Sequence, residues 1–125
     1  MHISWNDNIP IYIQLRDHMI ALILSGAVAE GEALPSVRTV AADFRLNPIT
    51  VSKAFQLLVE TGLVEKRRGR GMFVAEGAHR QLLAAERAKF LTEEWPAIVS
   101  RIRQLGLDPA ELLESVGQPK GDTPS

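Results

Sequence analysis

Apolar positions along the chain recur first at helical spacing, then briefly at strand spacing, then at helical spacing again. From Ile9, the residues Tyr12, Leu15, Met19, Ile20, Ile23 and Leu24 follow at three- and four-residue intervals, which predicts a helix from about Pro10 to Ser25 stopped by Gly26. The connection AVAEGEALP carries Gly31 and Pro35, too many breakers for a regular element. Ser36 then caps a second short helix with Val37, Val40, Ala41 and Phe44 inward, and residues 45–47 turn the chain. The next helix, Pro48 to Glu60, is punctuated at both ends: Asn47 can cap it, Pro48 fits the first position where no N–H is needed, and Gly62 can take the left-handed stop. Leu46 and Val51 stand where a hydrophobic staple would close. Val51, Ala54, Phe55, Leu58 and Val59 fall on its buried side; Ile49, Ser52, Lys53 and Gln56 form its presented front.

Leu63 to Glu76, LVEKRRGRGMFVAE, changes period and reads as a β-hairpin with a glycine-bearing tip. After the hinge AEGAHR the pattern returns to a helix. Ala84, Ala88, Leu91, Trp95, Ile98, Ile102 and Leu105 alternate four- and three-residue steps, the spacing of a seam packed against another helix. Pro96 lacks the donor a helix interior needs, which predicts a kink or a break between Glu93 and Pro96. Gly106 ends the run, Asp108-Pro109-Ala110-Glu111 reads as a capping box, and a last helix would carry Leu112, Leu113 and Val116 inward. The expected fold is α+β but mostly α: a winged helix-turn-helix DNA-binding domain over residues 1–75, a helical dimerisation domain over 76–117 and a disordered tail over 118–125. The seam also fits an intramolecular core. A homodimer is favoured, because so short an amphipathic stretch cannot enclose a core alone and a two-fold pair would set two recognition helices on successive turns of one DNA face.

Composition narrows the function classes mainly by what it lacks. The 125 residues include 46% hydrophobic and 23% charged side chains, enough for one domain and a small appendage. Absence of cysteine excludes disulfides and thiolate metal sites. No apolar run approaches the roughly 18 residues of a membrane span, and no signal-peptide pattern opens the chain, so a soluble cytoplasmic protein without membrane contact is expected. His2, His18 and His79 have no ligand spacing, Gly69-x-Gly71 lacks the third glycine of a dinucleotide loop, and no catalytic pair stands out; no enzyme activity, metal or cofactor is expected.

Charge changes the picture locally. The formal net charge is -1, yet Lys66, Arg67, Arg68 and Arg70 crowd the hairpin tip, which Gly69 and Gly71 keep thin. Basic groups beside a DNA backbone release condensed counterions, so that cluster suits phosphate contact. A helical pair alone is common in ordinary cores, and a basic turn alone is commonly solvated. Their succession, capped helix, turn, capped helix and basic hairpin, points to double-stranded DNA.

Several motifs carry a family resemblance. Leu34-Pro35-Ser36-Val37-Arg38, Val40-Ala41, Asn47-Pro48 with Thr50-Val51, Ala54-Phe55 with Leu58, Thr61-Gly62-Leu63-Val64 and Arg68-Gly69-Arg70-Gly71-Met72-Phe73-Val74 closely resemble the winged helix-turn-helix of the GntR family of bacterial transcription regulators. Pro10-Ile11-Tyr12 with Gln14-Leu15 is similar to that family's first helix, and the resemblance runs from about Ile9 to Ala75. Asn47-Pro48 and the short C-terminal part resemble the YtrA subfamily of compact dimeric repressors, often of transporter operons. The resemblance implies that Arg38 reaches DNA at the groove edge, that Thr50 contacts it at the start of the recognition helix, and that Arg68, Gly69 and Arg70 form the wing tip. Ser52 and Lys53 occupy positions where many relatives carry a basic residue. Arg45, Asn47, Ile49, Gln56 and Arg67 complete the candidate DNA-facing set.

Two departures limit what can be carried over. Pro48 stands where many relatives have arginine, so the operator sequence is not inherited. Arg45 stands where many have a turn glycine; a left-handed Arg45 would cost about 1 kcal/mol, which a phosphate bond could offset, and a rearranged turn is the alternative. An unknown small-molecule effector, if one exists, would bind between subunits or against the winged domain, with Trp95 a candidate lining residue. The rival reading is a winged protein-interaction module that does not read DNA.

Overall fold

The computed structural model describes residues 4–117; the expected frayed tail from Gln118 to Ser125 and His2 lie outside them. The order is α1 (Ile11–Leu24), α2 (Val37–Phe44), α3 (Pro48–Glu60), β1 (Val64–Arg67), β2 (Gly71–Val74), α4 (Ala78–Lys89), a π-turn (Phe90–Glu94), α5 (Trp95–Leu105) and α6 (Pro109–Gly117). The chain forms two compact units, Met1–Ala85 and Glu86–Ser125, so the division falls inside α4.

In the first unit the three opening helices enclose Leu15, Met19, Ile23, Val51, Phe55 and Leu58, all fully buried. Each such side chain contributes about 1.5 to 3 kcal/mol by leaving water. The inward residues read from periodicity in α3 are the buried ones, with Val59 at the margin. β1 and β2 pair antiparallel with Val64 opposite Val74 and Arg67 opposite Gly71, and those two valines close the core from below the hairpin. This is the winged helix-turn-helix expected from the sequence.

The connection before α2 is irregular, as its breakers predict, yet its backbone is engaged. Gly31 N–H donates to Val74 O and Leu34 N–H to Met72 O, both at 2.8 Å, while Val74 N–H donates to Glu32 O at 2.9 Å. Residues 31–34 therefore lie along β2 as a third rung of the wing and satisfy an edge that would otherwise be open.

Glu30, just before that rung, holds the start of α4. Its carboxylate accepts from Gly77 N–H at 2.9 Å and His79 N–H at 3.1 Å. The His79 ring also lies 2.9 Å from Leu24 O, and Gln81 donates to Thr61 O at 3.0 Å. The Gly77 bond first, then that of His79, holds the Glu30 carboxyl below its ordinary value of 4.5. A depressed carboxyl contributes stability that is fully present above the unfolded value and lost as pH falls through the folded one. Glu30→Gln is thus expected to be less stable than wild type at pH 7, with the gap between their urea midpoints closing as pH falls below about 4. A gap that stays constant with pH would mean that the charge is not what matters.

In the second unit the sequence predicts a kink or a break between Glu93 and Pro96, and an irregularity does end there: the helical backbone continues through Trp95 and Pro96 without a break. It widens upstream into the π-turn, where Trp95 N–H donates to Phe90 O. A regular helix would press the Pro96 ring against the Thr92 carbonyl and leave that carbonyl without a donor; one extra residue in the turn relieves both. Phe90, outside the expected set, meets Trp95 with ring centroids 6.3 Å apart. Asp108 caps α6 through Ala110 N–H at 3.0 Å. Leu113 and Val116, expected inward, are 67% and 81% exposed, because α6 covers only the Leu112 side of the unit.

Candidate nucleic-acid interface

The turn between α2 and α3 is fixed by side-chain chemistry at each step. Ser36 Oγ accepts from Thr39 N–H at 3.1 Å and opens α2. Arg45 closes it in the left-handed region at φ 55, ψ 50. Asn47 Oδ1 accepts from Ile49 N–H at 2.9 Å, with Pro48 in the first turn, and opens α3. Of the two sequence alternatives at Arg45, the structure shows the left-handed one. Arg45→Gly is expected to raise stability by about 1 kcal/mol, seen as a higher urea midpoint at unchanged slope. A glycine variant no more stable than wild type would mean the turn carries no strain.

α3 presents Ile49, Ser52, Lys53 and Gln56 to solvent, with Thr50 half-buried beside them. Two of these are engaged within the protein. Lys53 Nζ lies 4.8 Å from the centre of the Tyr12 ring on α1, a cation–π distance. Gln56 Nε2 reaches Glu60 Oε2 at 3.4 Å.

The wing tip is a three-residue loop, Arg68-Gly69-Arg70, closed by Arg70 N–H to Arg67 O at 2.9 Å. Gly69 takes the positive φ of 73° that this short loop needs. Arg67 lies in β1 rather than at the tip. Its guanidinium covers Phe73 at 4.3 Å and meets Glu65 at 3.5 Å, and Arg70 lies over the same ring at 5.9 Å. Arg68 is exposed in this loop.

Between α3 and the wing runs a cleft of about 410 Å³ lined by Ser36, Ser52, Gln56, Lys66, Gly69 and Arg70, among others. It brings together the front of α3 and the basic wing, two features far apart in sequence. Lys66, which the sequence places in the basic cluster suited to phosphate contact though outside the DNA-facing set, belongs to this cleft: it follows Val64 by two residues and pairs with Met72 across the strands, so it shares their inner face. Arg38 lies elsewhere, exposed on α2 over a shallow apolar groove with Ala41, Leu46 and Pro48. Arg45, Asn47 and Thr50 sit at that same α2–α3 end, outside the cleft. Tyr12, which holds Lys53, was also missed, since only the fold brings α1 beside α3. Among the described residues no group of histidine and carboxylate side chains is arranged to hold a metal ion.

The family profile described as "Bacterial regulatory proteins, gntR family" matches residues 11–74, from the first turn of α1 to the end of β2. The chain belongs to the GntR family. It is 33% identical to the HTH-type transcriptional repressor YtrA of Bacillus subtilis (strain 168), over 90% of this chain and 86% of that one. Its fold is similar to that of a GntR family transcriptional regulator from Listeria monocytogenes, with a TM-score of 0.69 and 30% identity over 93% of this chain and 100% of that one. It is also similar to the DNA-binding domain of AraR solved in complex with operator ORX1, with a TM-score of 0.53 and 25% identity over 60% of this chain and 92% of that one. As a GntR-family protein the chain is a DNA-binding transcription regulator and not an enzyme. No helix among its described residues is long and apolar enough to cross a membrane.

Proposed function

We propose that the chain is a cytoplasmic homodimeric repressor that blocks transcription by occupying a roughly palindromic operator, with a transporter operon as its target by resemblance to YtrA. The observation that carries the DNA contact is the cleft in which Ser52 and Gln56 of α3 face Lys66 and Arg70 of the wing, in a protein whose net charge is only -1. In this reading α3 enters the major groove and the wing grips the backbone, with Arg38, Arg45 and Thr50 on phosphates or the groove edge at the α2–α3 end. The AraR complex supports operator binding as the use of this fold, and the repressor named YtrA supports the sign of regulation.

The C-terminal segment supports the dimer. Leu91, Trp95, Ile98 and Leu105 remain exposed in the single chain, with Leu91 at 62%. Trp95, Ile98, Ile102, Leu112 and Leu113 also line an almost wholly apolar groove of about 460 Å³ between α5 and α6. With few polar side chains, Ser115 among them, to orient a small molecule, that groove suits the apolar face of a second copy better than an effector. A two-fold axis through it would pair two winged units with two half-sites about one helical turn apart.

Selection of bound duplexes from a random pool tests the reading directly, because it reports half-site sequence, symmetry and spacing together. Titration with salt completes it: affinity is expected to fall with a slope near -0.9 per neutralised phosphate. A pool that yields no bound duplex, or a flat salt response, would instead mark a protein-interaction module.

A further inference from the structure

α3 is flanked unequally. The wing lies on the side carrying Ser52 and Gln56, and α1 lies on the side where Tyr12 holds Lys53. With successive residues about 100° apart, Ile49 falls between these flanks at the centre of the front. It is 73% exposed, the most open large apolar side chain among the described residues of the winged unit. A single exposed isoleucine is ordinary on a protein surface; its placement here is not. Ile49 stands in the first turn, the part of a recognition helix that reaches base edges. Its N–H is bonded to Asn47 Oδ1, and its β-branched side chain has one strongly preferred rotamer in a helix. The group offered to the groove is therefore apolar and preorganised, while the only cation on the front is drawn aside by Tyr12.

In the major groove one base, thymine, carries an apolar group, the C5-methyl. We infer that Ile49 is a specificity-determining residue that reads a thymine methyl at one position of each half-site. The inference rests on the operator-binding reading above and names the base that reading leaves open.

Deoxyuridine keeps every hydrogen-bonding group of thymine and lacks only the methyl, so it isolates this contact. The full-length protein is titrated with a duplex selected from the random pool, and each thymine is replaced in turn by deoxyuridine. Loss of one buried methyl is expected to weaken wild-type binding about fourfold at one thymine per half-site. Ile49→Ala is expected to bind the thymine and deoxyuridine duplexes equally at that position, with an unchanged thermal melt because the side chain is exposed. Lys53→Ala is expected to keep the fourfold effect while its salt slope falls by about 0.9 per half-site. A methyl effect that persists in Ile49→Ala, or none in wild type, overturns the inference and leaves operator binding intact. A pool with no bound duplex overturns operator binding and the inference with it.

Discussion

Ile98→Glu is expected to turn the proposed homodimer into monomers, measured by sedimentation at concentrations where wild type sediments as a dimer. Ile98 is 41% exposed on α5 and lines the α5–α6 groove with Trp95 and Ile102. In a two-fold interface one substitution places two carboxylates in the same apolar contact, and a buried charge without a partner costs about 3 to 5 kcal/mol. That is a large share of what a standard interface yields. The winged unit has its own core around Phe55 and Leu58, so its thermal transition is expected to persist. Operator affinity is expected to fall by about 100-fold or more, since a half-site then no longer benefits from the effective concentration of a tethered neighbour. Ile98→Val, which keeps the apolar character, is the control and should remain dimeric. An Ile98→Glu protein that still sediments as a dimer would place the interface elsewhere on the chain.

The features legible in the sequence are those whose cause is local. Asn47, Pro48 and Gly62 announce both ends of α3 because a cap, a prefixed φ and a left-handed stop are properties of single residues. The burial of Val51, Ala54, Phe55 and Leu58 follows from one period. Arg45 in the turn posed a conformational question that one dihedral pair answers. What stayed hidden depends on tertiary neighbours or on competing local costs. Nothing in NPITVSKAF says that Lys53 will lie on Tyr12, since that requires α1 and α3 to be packed side by side. Nor do the breakers around Gly31 reveal that residues 31–34 will bond to β2. Pro96 signals that a regular helix must fail, but whether it kinks, breaks or widens depends on small differences in strain, and here an extra residue in the turn wins. The ring contact of Phe90 with Trp95 spans that turn.

The wing offers the second large effect, and here the structure sharpens which arginines matter. Arg67 is committed to Phe73 and Glu65, so it acts mainly as part of the strand. Arg70 lies farther from the Phe73 ring, at 5.9 Å, and like Arg67 lines the cleft, and Arg68 stands exposed at the tip. Replacing Arg68 and Arg70 together with alanine is expected to reduce the salt slope by about two units per wing, near 0.9 for each phosphate no longer neutralised. In a dimer this amounts to about four phosphates, so the loss of affinity is greatest at low salt and narrows as salt rises. The loss should be nearly uniform across duplex sequences, because phosphate contacts carry no base information. That uniformity separates the wing from Ile49, whose removal changes preference at one base while leaving the slope alone. Arg67→Ala is the internal contrast: it should cost stability by uncovering Phe73, with a smaller change in slope. An Arg68→Ala, Arg70→Ala protein with the wild-type slope would show that the wing does not touch the backbone, and the electrostatic grip would then have to come from Arg38, Arg45 and Lys53 on the helical side.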